Sequence, residues 1–94
     1  MGIAQTIKDV LVTEVMVEVP PSEIDENGSL RTMFGLDSLG FVELRVQCEE
    51  RFGVTISDSD FTPENFSSVA SVAALVERLV AAGDHAGDHV AGKA

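Results

Sequence analysis

Apolar residues in this chain recur at every third or fourth position in three separate stretches, which is the period of an α-helix and not the two-residue period of a strand. Ile3, Ile7 and Leu11, with Val10 beside them, predict an amphipathic helix near the amino terminus. A second helix is expected from Asp37 or Ser38 to Phe52, with Gly53 as a left-handed stop. Ser67 or Ser68 is the expected cap of a last helix carrying Val69, Val72, Ala73, Val76, Leu79 and Val80, ended by Gly83. Strand-like alternation occurs at Val15, Val17 and Val19, and Pro20-Pro21 stops either kind of element by removing two backbone donors. Ser57 to Phe61 suggests a brief helical turn, and Thr62-Pro63-Glu64 another turn or helix start. The expected fold is all-α: a three-to-four-helix bundle with a long loop, residues 18–36, between the first and second helices. Ile24, Leu30, Phe34 and Leu36 are its candidate pins into the core.

Ninety-four residues, 45% of them hydrophobic, suit one small domain over residues 1–82. Residues 83–94 carry a Gly-Asp-His echo, at Gly83 and Gly87, and read as a disordered tail. Six Lys and Arg stand against 16 Asp and Glu, giving a net charge of −10 and a pI near 4.3. Binding to a nucleic-acid backbone or an anionic membrane needs clustered cations, so the complement to this chain is a partner with a basic face. No apolar run approaches the roughly 20 residues of a membrane span and no basic-then-apolar leader opens the chain, so a cytoplasmic location is expected. Cys48 is the only cysteine, which excludes an internal disulfide or a multi-cysteine metal site.

The stretch from Ser38 to Phe52 has two apolar faces. Turning each residue by about 100°, Phe41, Leu44, Cys48 and Phe52 share one arc, the expected core face. Leu39, Val42 and Val46 gather roughly opposite, where a bundle helix normally shows polar groups to water. Glu43 and Glu50 fall in that outer sector, with Glu49 near its edge. Burial on two sides and scattered surface aliphatics both explain such a stripe; so does a docking surface with an apolar centre and a carboxylate rim.

Ser38 opens this helix, after Gly35-Leu36-Asp37. Ser and Asp both favour the helix cap, and either side chain can satisfy an orphan amide there. The same place suits an attached phosphodiester, because the helix amino terminus attracts anions. A catalytic serine needs a base; His85 and His89 lie in the tail, and no G-x-S-x-G elbow surrounds Ser38. Ser38 therefore reads as an acceptor modified by another enzyme.

Gly35-Leu36-Asp37-Ser38-Leu39 resembles the Asp-Ser-Leu signature of acyl carrier proteins and related thiolation domains, and the likeness extends through Val42-Glu43-Leu44, Glu49-Glu50, Phe52 and Thr62-Pro63-Glu64-Asn65-Phe66 to the closing helix. The resemblance implies a non-catalytic carrier whose Ser38 receives 4′-phosphopantetheine from coenzyme A through a phosphopantetheinyl transferase, Asp37 being a candidate contact for that enzyme. It implies that the arm holds an acyl group as a thioester, and that Leu39, Val42, Glu43, Val46 and Glu50 meet acyl-loading and acyl-processing enzymes with basic docking faces. A monomer is expected. Arg45, Arg51 and Gly40 depart from many fatty-acid carriers, and the motif run looks more like free-standing carriers of polyketide-type metabolism. Two other readings stay open: an acidic interaction domain without a prosthetic group, and a peptidyl carrier. Cys48 reads as a buried small hydrophobe, Asp58-Ser59-Asp60 as turn residues and not a calcium loop, and the Val69-to-Val80 pattern as core.

Overall fold

A computed structural model of the chain describes residues 2–83; the expected tail beyond Gly83, with His85 and His89, lies outside the described residues. The fold is all-α. Helices α1 (Ile3–Thr13), α2 (Ser38–Phe52) and α3 (Val69–Ala81) are joined by long connections, the first holding a 3-10 turn at Pro21–Glu23, and no strand forms among the described residues.

Each helix ends for a local reason. The last turn of α1 closes through Glu14 and Val15 amides on the Val10 carbonyl, and Val17 N–H reaches back to Leu11 O at 2.9 Å. That wrap requires Met16 to take φ +68°, a left-handed conformation, so the Val15-Val17-Val19 alternation belongs to a helix stop and not to a strand. Gly53, at φ +65°, ends α2 where the sequence places it. Ser68, not Ser67, caps α3, and its side chain and that of Ser71 form a reciprocal capping box.

Ile7, Val10 and Leu11 of α1 pack with Leu44 and Cys48 of α2 and with Val69, Val72, Ala73, Leu75, Val76 and Leu79 of α3. Leu75 is fully buried, although it stands outside the periodic set read from the sequence, whereas Val80 is 39% exposed and leaves the predicted core. Successive turns of about 3.6 residues carry position 80 past the rim of the face that position 76 buries.

The long loop is fastened by its pins and by the start of α3. Ile24, Leu30 and Leu36 are buried, and Phe34 packs against the core half-buried. Leu30 N–H donates to Ser67 O at 2.9 Å, Ala70 N–H donates to Glu26 O at 2.8 Å, and Lys8 on α1 pairs with Glu26 at 2.8 Å. The stretch between α2 and α3 contains no helix, so the short fourth helix does not form. Pro63 withholds an amide, and the Asn65 side chain donates to Asp60 O while Thr62 Oγ1 accepts from Asn65 N–H, which holds the chain in turns.

The two faces of α2 predict unequal costs of truncation. Leu44→Ala lowers the unfolding free energy by about 3 kcal/mol, whereas Val46→Ala, at a position 38% exposed, costs under about 1 kcal/mol in urea unfolding.

Candidate functional site

The amino terminus of α2 is set by its neighbour on either side. Leu36 is buried and its amide donates to Leu30 O at 3.0 Å, so the chain enters the helix from a fixed point. Gly35, at φ +74°, makes the turn into it. Asp37 is the cap: its Oδ1 accepts from Gly40 N–H at 2.9 Å. Gly40 sits so close beneath Leu36 and Val15 that a Cβ there would lie 3.3 Å and 3.4 Å from their side chains, which accounts for a helix-weakening residue in this turn.

Because Asp37 takes the capping role, the Ser38 hydroxyl has no hydrogen bond within the described residues, and the residue is exposed on the first helical turn. An unengaged hydroxyl at the positive end of a helix, on a backbone fixed from both sides, is well placed to be modified. No histidine lies among the described residues to activate it.

Along the outer face of α2, Leu39 is 78% exposed, Val42 47% and Val46 38%. Glu50 is exposed beside them, and Glu43 is half-buried and accepts from Gln47 Nε2 at 2.9 Å. Burial of α2 on two sides is thereby excluded within the described residues. Glu49 turns away from this surface: its carboxylate accepts from Ile56 N–H at 2.8 Å and holds the following loop.

Arg45 does the same from one turn earlier. Its guanidinium donates to Ile56 O through Nε, at 3.0 Å, and through a second nitrogen; it also pairs with Asp58 at 3.0 Å and lies 4.9 Å from the centre of the Phe61 ring. Asp58 is 97% exposed, so the bonds to the carbonyl and the stacking carry more of this clamp than the ion pair. Phe61 meets Phe66 edge to face at 4.9 Å. The two rings help to line a cleft of about 420 Å³ that opens beside Ser38, together with Phe41 and Val42 of α2 and with Arg31. Sequence reading missed Arg31, Phe61 and the Arg45–Glu49 clamp as parts of the site. The signal in the sequence is the scarcity of cations, 6 against 16 acidic residues.

Cys48 is fully buried, and burial pushes its thiol from 9.0 up to about 12, with Glu49 adding to the rise. Asp58-Ser59-Asp60 is spent on turn bonds and on Arg45, and no group that suits a metal occurs among the described residues.

Comparison with known proteins places these features in a wider set. The profile of the family described as "Phosphopantetheine attachment site" matches residues 5–78. The acyl carrier protein of Rhodococcus erythropolis is 31% identical over 75 residues, covering 80% of each chain. The meromycolate extension acyl carrier protein of Mycobacterium tuberculosis is 36% identical over 78 residues, covering 83% of this chain and 61% of that protein. The acyl carrier protein of Solidesulfovibrio magneticus is 35% identical over 60 residues, covering 64% of this chain and 74% of that one.

The cap assignment predicts that Asp37→Ala lowers stability by about 1 kcal/mol, while Ser38→Ala changes it by less than about 0.5 kcal/mol in the same unfolding assay. The raised Cys48 pKa gives a pH dependence of definite sign. Below pH 9 the folded and unfolded thiols are both neutral; between about 9 and about 12 only the unfolded thiol ionises, so stability falls across that window. Cys48→Ala flattens the fall, and native protein at pH 8 resists iodoacetamide until urea unfolds it.

Proposed function

This chain belongs to the phosphopantetheine-attachment family as an acyl carrier domain, and we propose that Ser38 is the residue on which it holds its covalent 4′-phosphopantetheine. The observation that carries this assignment is the division of labour between neighbours: Asp37 caps α2, so Ser38 keeps an exposed hydroxyl free at the helix amino terminus. The site fits the group. The hydroxyl is accessible to a transferase, the helix end favours a phosphodiester, and a partly apolar cleft adjoins it. When bound, the prosthetic group supplies a terminal thiol that holds an acyl chain as a thioester.

The chain's own residues then serve presentation. The buried Leu36 and the Asp37 cap keep Ser38 at a constant position relative to the outer face of α2. Leu39, Val42 and Val46 form the apolar centre of a docking surface, with Glu43 and Glu50 at its rim for enzymes with basic faces, the phosphopantetheinyl transferase among them. A carrier must leave each partner in turn, so a small patch steered by charge suits it better than extensive dry burial. Acting as a monomer, it brings cargo to its partners by tethering, which raises effective concentration without new contacts.

For the pathway, the run Gly35–Glu43 and the Thr62–Phe66 segment support a carrier of polyketide or related secondary metabolism. Arg45 and Arg51, which depart from many fatty-acid carriers, also serve the fold: Arg45 clamps the loop at Ile56 and Arg51 pairs with Glu14 at 3.5 Å. A second reading, extension of lipid chains, draws on the mycobacterial relative, whose name concerns meromycolate extension.

Incubating the unmodified chain with coenzyme A and a promiscuous phosphopantetheinyl transferase adds one phosphopantetheine, located at Ser38 by peptide mass, and Ser38→Ala adds none. Addition at another residue overturns the assignment. Replacing Glu43 and Glu50 together by Lys slows loading by roughly tenfold at low salt, an effect that shrinks as salt screens it. Reversal of Glu18 and Glu77, which are exposed and lie outside α2, leaves the rate within about twofold.

A further inference from the structure

We propose that Arg31 is the anion anchor of the cleft beside Ser38, holding either a carboxylate at the free end of a short acyl cargo or the phosphodiester of the arm. The proposal rests on the carrier reading of Ser38 and deepens it. In a chain with 16 acidic residues, no Asp or Glu lines this cleft, and Arg31 is its one charged lining residue. Three of the described cations are paired within the fold, Lys8 with Glu26, Arg45 with Asp58 and Arg51 with Glu14, and Arg78, on α3, does not line this cleft. Arg31 makes no ion pair among the described residues and is exposed. A planar guanidinium beside an attachment serine suits two-pronged pairing with a carboxylate or phosphate.

The rest of the lining fits the body of such a ligand. Phe41, Val42, Phe61 and Phe66 offer an apolar floor, and the hydroxyls of Ser29 and Thr62 sit among them. About 420 Å³ accommodates a short chain with a polar end. Arg31 is also held near the cleft by its neighbours, since Leu30 is fully buried and bonded to Ser67 and Thr32 N–H donates to Ser29 Oγ at 3.1 Å.

The test compares four forms of the chain: unmodified, arm-loaded, and loaded with pentanoyl or with glutaryl groups, which share a five-carbon chain but differ in the terminal carboxylate. Proton–nitrogen NMR follows the Arg31 side chain and the Phe61 and Phe66 amides. If the carboxylate is the ligand, the Arg31 signal moves in the glutaryl form alone, and the pKa of the labelled carboxylate lies about one unit below that of free S-glutarylpantetheine. Arg31→Gln removes that difference while circular dichroism and melting stay unchanged. If the phosphodiester is the ligand, Arg31 moves equally in all loaded forms, with a phosphorus shift that Arg31→Gln abolishes. An Arg31 signal and carboxylate pKa indifferent to every form, as for an arginine that meets an acidic partner protein, overturns the proposal. Should Ser38 refuse loading, the carrier assignment falls by itself. S-glutaryl- and S-pentanoyl-4′-phosphopantetheine are then titrated into the unmodified chain, where movement of Arg31 by the first alone supports a carboxylate ligand, movement by both supports the phosphate, and movement by neither overturns the anchor.

Discussion

Two backbone hydrogen bonds, Leu30 N–H to Ser67 O and Ala70 N–H to Glu26 O, fasten the long connection to the start of α3, and the geometry around Ser38 depends on them. A loop of this length would otherwise leave amides unpaired against the core or drift with solvent. With Leu30 held, Leu36 can bond back to it and bury, and Leu36 in turn delivers Asp37 to the capping position. The placement of one hydroxyl thus follows from contacts made tens of residues away in sequence. Lys8 reaches the same loop from α1, so all three helices bear on it.

Helix α2 is short of core residues for its length, with only Leu44 and Cys48 fully buried. It holds its place through its ends and through the Arg45–Glu49 clamp, which grips both the carbonyl and the amide of Ile56. That arrangement leaves an entire side of the helix available to solvent. It also sets Phe61 against Phe66, giving the cleft beside Ser38 a stiff aromatic wall. Charge is distributed to match: three described cations pair with acids of the same fold, the outer face of α2 stays acidic, and Arg31 lines the cleft.

Much of this was legible in order along the chain. The bounds of α2 and α3, the stop at Gly53 and the exposure of Leu39, Val42 and Val46 follow from helical period and cap chemistry, which act within a few residues. What the sequence leaves open are side chains that answer a distant partner. Helical period puts Glu49 near the edge of the outer sector but cannot show that Ile56 N–H takes its carboxylate, and it marks Arg45 as unusual without showing that the Ile56 carbonyl is its partner. Val15, Val17 and Val19 alternate as a strand does, yet no strand among the described residues pairs with them, and the α1 stop takes them over.

By itself the sequence determined the all-α class, the helix carrying Ser38, and its two unlike faces, because those depend on the spacing of apolar residues and on local caps. Tertiary structure decided that Asp37 and not Ser38 does the capping, that Arg45 and Glu49 serve the loop, and that Arg31 borders an acid-free cleft. Which of two adjacent groups satisfies an amide, and which charges find partners, depends on distances between segments that only folding brings together.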